Sequence, residues 1–250
     1  TGLTADITAL SLAVTGATAA NKTYDQLVIA TISGGSISVI SGDTVTLVTT
    51  GRTGVFADKN VGTAKSVTVS GYTITGTDAA NYSLVQPTGV TADITALSLA
   101  VTGATAANKT YDQLLTAAIS GGTIAPISGD TVTLVTSGRA GVFADKNVGT
   151  GKSVTVSGYT ISGADASNYS LVQPTGVTAD ITALSLAVTG ATAASKTYDA
   201  LLTAAISGGS ISVLSGDTVT LDISGRAGVF ADKNVGSGKS VTASGYTISG

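Results

Sequence analysis

The sequence predicts an all-β protein, a tandem array of small Ig-like β-sandwich domains forming an elongated rod. Three observations predict it. The stretch Thr1-Gly2-Leu3-Thr4-Ala5-Asp6-Ile7 returns as Thr88 to Ile94 and again as Thr175 to Ile181, a period of 87 residues with no insertion or deletion. Thr, Val, Ser, Ala and Gly dominate, and there is no Glu and no Met. β-branched residues lose rotamer freedom in helices and fit the pleated surface of a sheet. Finally, apolar residues alternate with polar ones at period two in short runs separated by Gly, Asp and Asn, the pattern of half-buried strands and turns.

Taken in order along the first copy, Leu10-Ser11-Leu12-Ala13-Val14 reads as a strand with Leu and Val on one face. Leu27 to Ile32 reads as the next, Ser33-Gly34-Gly35 as a turn, and Ser36 to Ile40 as a third strand. Ser41-Gly42-Asp43 turns the chain into Thr44 to Val48, and Val55-Phe56-Ala57 is a short apolar strand before the loop Asp58 to Gly62. Ser66 to Ile74 is the longest strand signal, with Gly71 a bulge or bend. Tyr82 to Val85 and Val90 to Ile94 complete about eight strands, at the roughly 8–12-residue spacing of a sandwich or barrel. A parallel solenoid is disfavoured because its coils repeat every ~20–30 residues, and no sub-period is visible inside the 87.

Copies one and two differ at 13 of 87 positions, and the third, 76 residues long, differs from the second at 10. Asp6-Ile7-Thr8 runs into Ala9-Leu10 with no Gly or Pro between them, so the natural unit begins at Ala9. The expected organisation is residues 1–8 as the final strand of a preceding repeat, complete domains at 9–95 and 96–182, and a third at 183–250 lacking its last strands. A linker of nearly zero length implies stiffness. With no initiating Met and no leader, the sequence reads as a mature fragment or an excised window.

Composition narrows the function. Charged residues are 11% of the chain, against roughly 25% in ordinary globular domains. The net charge of −3 gives no basic footprint for nucleic acid. Positive mean hydropathy with little charge argues against disorder. No apolar run approaches the ~20 residues of a membrane helix, so no membrane insertion is expected in this segment. There is no His, Cys or Glu. A Ser or Thr nucleophile would have only Lys or Asp as an activating base, so no enzyme is expected and no cofactor.

The candidate site residues are few. Asp43, Asp58 and Asn60 supply hard oxygen ligands of the kind Ca²⁺ takes, although Lys59 sits between the last two and such residues ordinarily stabilise turns. Lys22 or Lys65 would form an isopeptide bond with Asn60 or Asn81 only if buried beside an acid; solvated lysine is the expectation. Tyr24, Tyr72 and Tyr82 are read as core residues with bonded hydroxyls rather than a sugar-stacking platform. Differences between copies cluster at Val28 to Val39 and Thr75 to Ala80, whereas Phe56 to Gly62 is identical in all three.

The segments Lys22-Thr23-Tyr24-Asp25, Ser41 to Leu47, Phe56 to Gly62, Ser70-Gly71-Tyr72-Thr73, Asn81-Tyr82-Ser83-Leu84 and Thr91 to Thr95 occur in this order in a pattern that resembles the YDG-type repeat. That repeat belongs to large bacterial surface adhesins of the filamentous-haemagglutinin kind. One departure is Gln26, where the family has Gly after Tyr-Asp; Gln113 and Ala200 occupy the same place in the later copies. The resemblance implies an extracellular location, at the bacterial cell surface or in a secreted fibre, and a stalk or spacer role. Its expected partners are neighbouring repeats of the chain, other copies of the fibre, or host or matrix glycan. The alternative reading is of repeats that themselves bind glycan or self-associate head-to-tail.

Overall fold

The computed structural model describes residues 2–250. Among these the chain is all-β, with no α-helix and only two single 3-10 turns, Ala79–Asn81 and Ala166–Asn168. It divides into two compact units: residues 2–105 with Ala118–Gly141 and Thr155–Val177, and Ala106–Ala117 with Val142–Val154 and Thr178–Gly250.

The first unit contains eleven strands of the first repeat: β1 (Leu10–Ala13), β2 (Thr15–Ala19), β3 (Lys22–Thr23), β4 (Ile29–Ala30), β5 (Ile32–Ser36), β6 (Thr46–Val48), β7 (Thr53–Phe56), β8 (Gly62–Ser70), β9 (Thr73–Thr75), β10 (Tyr82–Val85) and β11 (Thr91–Thr95). Five form one sheet in the order β3-β11-β8-β7-β4, and the rest form two-stranded ladders β1-β10, β2-β5 and β6-β9. Pairing is antiparallel except in β1-β10 and β3-β11, which are parallel. Alternation decides which face a residue takes, but not which strand lies alongside.

Several predicted strands shift. Tyr82–Val85 is a strand over the predicted span, and Leu27 to Ile32 breaks at Thr31 into β4 and β5. The predicted turn Ser33-Gly34-Gly35 lies inside β5, and Ile37 to Ile40 is irregular. The glycines explain the correction. Gly34 and Gly35 take φ of 68° and 102°, which glycine adopts without a Cβ penalty. A Cβ on Gly35 would lie 2.6 Å from the Tyr72 ring, so the strand bends to admit that tyrosine. The long signal from Ser66 to Ile74 is two strands. At Gly71, with φ of 84°, the chain leaves the five-stranded sheet and enters the β6-β9 ladder. The hydroxyl-rich strands β2 and β3 escape the periodicity argument because they carry small side chains and a single Lys.

The core of this unit gathers Tyr24, Phe56, Val67, Val69, Tyr72, Val90, Ala92 and Ile94 from the first repeat. It continues into Leu99 and Tyr169, with Leu97, Ile127, Val132 and Leu171 packed at its edge. Only Ala96 separates β11 from the strand Leu97–Ala100, which pairs in parallel with Tyr169–Val172. The apolar core therefore does not stop where the sequence period does.

The second unit contains Lys109–Thr110 beside Thr178–Thr182, paired in parallel as β3 is with β11. Its third-repeat part has a three-stranded sheet of Thr203–Ala204, Ala227–Phe230 and Val241–Ser244, with ladders Thr189–Ala193 to Ile206–Ser210 and Thr220–Asp222 to Thr247–Ser249. Leu184 to Ala187, which corresponds to β1, is irregular. The residues corresponding to β10, its pairing partner in the other copies, are not among the 250.

Candidate functional site

A buried polar cluster in the first unit is built from two consecutive repeats around Asp130. Its side chain has no exposed surface. The Tyr24 hydroxyl donates to it, 3.0 Å from Oδ1 and 2.9 Å from Oδ2, and the Tyr169 hydroxyl donates to Oδ2 at 2.6 Å. Lys59 Nζ lies 3.3 Å from Asp130 and 3.5 Å from Asp165. The two tyrosine rings meet edge to face, 5.6 Å between centroids, a favoured arrangement of ring quadrupoles. Lys59 Nζ is also 5.9 Å from the Tyr24 ring centroid, within reach of a cation–π attraction.

Each group is delivered by a short turn. Tyr24 follows β3, and its N–H donates to Thr95 O at 2.8 Å. Asp130 closes the Ser128-Gly129-Asp130 turn, with its N–H on Ile127 O at 3.1 Å. The 3-10 turn Ala166–Asn168 presents Asn168 and Tyr169. Asn168 is 1% exposed, yet both ends of its amide are satisfied. Its Oδ1 accepts the Val61 N–H at 2.9 Å, and its Nδ2 donates to Asn60 Oδ1 at 3.2 Å. Ile127 N–H donates to the Tyr169 hydroxyl at 2.9 Å. No buried side-chain N or O among the described residues lacks a partner.

Gln26 explains the departure from Tyr-Asp-Gly. Its φ is 68°, the left-handed region that costs a residue with a Cβ about 1–2 kcal/mol. Its Nε2 donates to Ser128 O of the next repeat at 3.1 Å, and a bond of this kind contributes about 0.5–1.5 kcal/mol. Gln113 repeats both features, with φ of 66° and a 3.0 Å bond to Ser215 O. Within the second unit Tyr111 donates to Asp217 at 2.8 Å, the counterpart of the Tyr24 bond.

The electrostatics follow from this geometry. Burial alone pushes the Asp130 carboxyl up, but the Tyr169 and Tyr24 hydroxyls, Gln26 and Lys59 together hold it down at about 2. Burial and the Asp130 carboxylate push Tyr169 up to about 12 and raise Tyr24 as well. Lys59 is raised by hydrogen bonding to Tyr24 and Asp130. Unfolded carboxylates titrate near ~4 and tyrosines near ~10. The depressed Asp130 therefore contributes stability above pH ~4 that is lost as pH falls towards 2. The raised Tyr169 contributes below pH ~10 and loses it as pH rises towards 12. Thermal unfolding followed by circular dichroism should be nearly flat between these limits and fall on both sides. A stability transition between pH 5 and 8 would contradict the arrangement.

The oxygen-bearing candidates all have hydrogen-bond partners within the protein. Asp43 accepts the Tyr82 hydroxyl at 2.5 Å. Asp58 accepts the Asn60 N–H at 2.7 Å and pairs with Lys65 at 2.7 Å, which lowers its carboxyl below the usual range. Asp58 and Asn60 thus share one turn, whereas Asp43 belongs to a separate network with Tyr82. Among the described residues no group of three or more His, Cys, Asp or Glu is placed to hold a metal. Lys22 pairs with Asp25 at 2.6 Å and Lys65 with Asp58. Tyr24, Tyr72 and Tyr82 are buried with bonded hydroxyls; Tyr72 donates to Gly34 O at 2.9 Å.

The cluster itself was not among the sequence expectations, because its partners across the two repeats lie 71 to 108 residues apart. A signal for it was present. Lys22–Asp25, Ser41–Leu47, Phe56–Gly62 and Asn81–Leu84 are the segments, or the parents of the segments, that supply Tyr24, Asp130, Lys59 with Asn60, and Asn168 with Tyr169.

These observations define an all-β tandem-repeat protein whose consecutive repeats share a buried polar cluster and a continuous core. A family model for the YDG domain matches residues 8–90, 95–177 and 182–250. The chain belongs to the YDG domain family. No curated protein and no solved structure matches it. Among the described residues no helix is long and apolar enough to cross a membrane.

Proposed function

We propose that the chain is a run of spacer repeats in a bacterial extracellular adhesin or matrix fibre, projecting a binding region from the cell or building a filament. In this reading the repeats are small β-sandwiches of Ig-like arrangement, in series as an elongated rod, and they neither catalyse a reaction nor require a cofactor. The Asp130 cluster is the observation that carries it. Tyr24, Lys59 and Asn60 of one repeat spend their polar groups on Asp130, Asp165 and Asn168 of the next. Groups satisfied by one another are not free to bind substrate or ligand. A buried contact with a one-residue connection leaves little freedom to hinge, which is what a spacer needs.

Small-angle scattering of arrays with increasing repeat number tests the reading. The longest strand of a repeat, β8, has 9 residues and spans roughly 30 Å at about 3.3 Å per residue, and the longest dimension should grow by a constant increment on the order of 30–40 Å per repeat. Arrays that collapse into compact particles would refute it.

A further inference from the structure

The early strands of a repeat lie beside its last ones and run in the same direction. β1 pairs with β10 in parallel, from Leu10 opposite Tyr82 to Ala13 opposite Val85. β3 pairs with β11 in parallel, with Lys22 opposite Ile94 and Thr23 opposite Thr95. A further main-chain bond extends each ladder: the Val14 N–H donates to Val85 O at 3.0 Å, and the Tyr24 N–H to Thr95 O at 2.8 Å. The second copy has both ladders. Leu97–Ala100 lies parallel to Tyr169–Val172, and Lys109–Thr110 to the end of Thr178–Thr182. The Val101 and Tyr111 N–H groups extend them at the same distances.

Side chains hold these strands in register. Leu12, Val14 and Tyr82 are buried along the first ladder, and Ala92 and Ile94 along the second. β11 is held on its other side by β8. Between the two buried residues Asp93 is tied to both neighbours. Its N–H donates to Asn21 Oδ1 at 2.7 Å, and its Oδ1 accepts the Ala64 N–H at 2.8 Å. Asp180 is tied in the same way through Asn108 and Gly151, both at 2.8 Å. A lengthwise slip of one residue would carry Ile94 from the core face to the solvent face.

We propose that each complete repeat is a mechanical clamp that resists unfolding under tension along the chain. The chain enters a repeat at the N-terminal end of β1 and leaves it at the C-terminal end of β11. In a parallel ladder the N-terminal end of one strand and the C-terminal end of the other lie at opposite ends. Tension therefore draws the paired strands lengthwise past each other and loads their hydrogen bonds together. An antiparallel ladder pulled from two ends that lie side by side opens one pair at a time. The β6-β9 and β7-β8 ladders are of that kind, with Val48 opposite Thr73 and Thr53 opposite Ser70 at their ends. Thr50 lies between β6 and β7, and Thr73 opens β9 just after β8. A pull on Thr50 and Thr73 therefore peels both. The clamp follows from the strand order within a repeat and not from the spacer reading.

Single-molecule force measurement on the full chain tests the proposal. The chain has no cysteine, so an introduced pair fixes the direction of pull. Ala9→Cys with Ala183→Cys loads the two complete repeats along the chain, and Thr50→Cys with Thr73→Cys peels the antiparallel ladders of the first. All four positions are exposed. At one pulling speed, a repeat loaded along the chain should rupture at a force at least about twofold higher than in the peeling direction, because several hydrogen bonds must break together. Each rupture along the chain should free one period of 87 residues. That is roughly 300 Å of extended chain, less the folded length, at about 3.3–3.6 Å per residue. Equal forces in the two directions, a weaker repeat along the chain, or rupture along the chain in much shorter steps would each overturn the proposal. A compact array in small-angle scattering would remove the spacer reading and leave the clamp standing, whereas equal forces would remove the clamp alone.

Discussion

Replacing Asp130 with alanine should destabilise the first compact unit by about 2–4 kcal/mol, because two buried tyrosine hydroxyls lose their acceptor while Lys59 can still turn to solvent. The chain contains its own control. Asp43 occupies the same place in the first repeat and binds the Tyr82 hydroxyl as Asp130 binds Tyr169. Only Asp130 also receives Tyr24 and Lys59 from the preceding repeat. Asp43→Ala should therefore lose about 1 kcal/mol, the value of a single hydrogen bond. Urea denaturation of both variants measures the difference. Equal losses would mean that the contact between repeats adds no stability.

Phe56→Ala should be of comparable or larger size, about 3–5 kcal/mol, the range for emptying a packed aromatic site. Phe56 is 2% exposed beneath Val67 and Ile94 of the same core, with Lys22 Nζ 5.6 Å from its ring centroid. Phe230 is the same residue in the third repeat, with Lys196 placed alike at 5.6 Å, but it is only partly buried. Phe230→Ala should lose distinctly less, since fewer contacts are forfeited. Thermal melts that separate the two units would read both values. Indistinguishable losses would show that the depth of burial at this position does not set the loss.

Part of the fold was legible in the sequence and part was not, and the division has a physical cause. The strands Tyr82–Val85 and Leu10–Ala13 were visible because alternation marks a half-buried face. The break at Gly71 was visible because a glycine interrupts that alternation. By contrast, Gly34 and Gly35 resemble a turn in sequence and are a bent strand in the structure. The room they leave is taken by Tyr72, 37 residues away from Gly35 along the chain. The parallel pairing of β1 with β10 has no sequence signature at all, since it joins residues about 72 positions apart. The candidate site was half legible. Its motifs were recognisable one at a time, and Asp43, Asp58 and Asn60 attracted notice as oxygen-rich turn residues. Of these, only Asn60 takes part in the cluster, as a partner of Asn168.

By itself the sequence determined the period, the β class and the YDG family, because these rest on local chemistry: β-branched residues, glycines at bends, and motifs recurring every 87 residues. The tertiary structure alone decided that the core and the polar cluster run from one repeat into the next. Burial of Asp130 requires Tyr24 and Lys59 from a different copy. A carboxylate joined to its partners across 106 and 71 residues is brought to them by packing, which no run of neighbouring residues encodes.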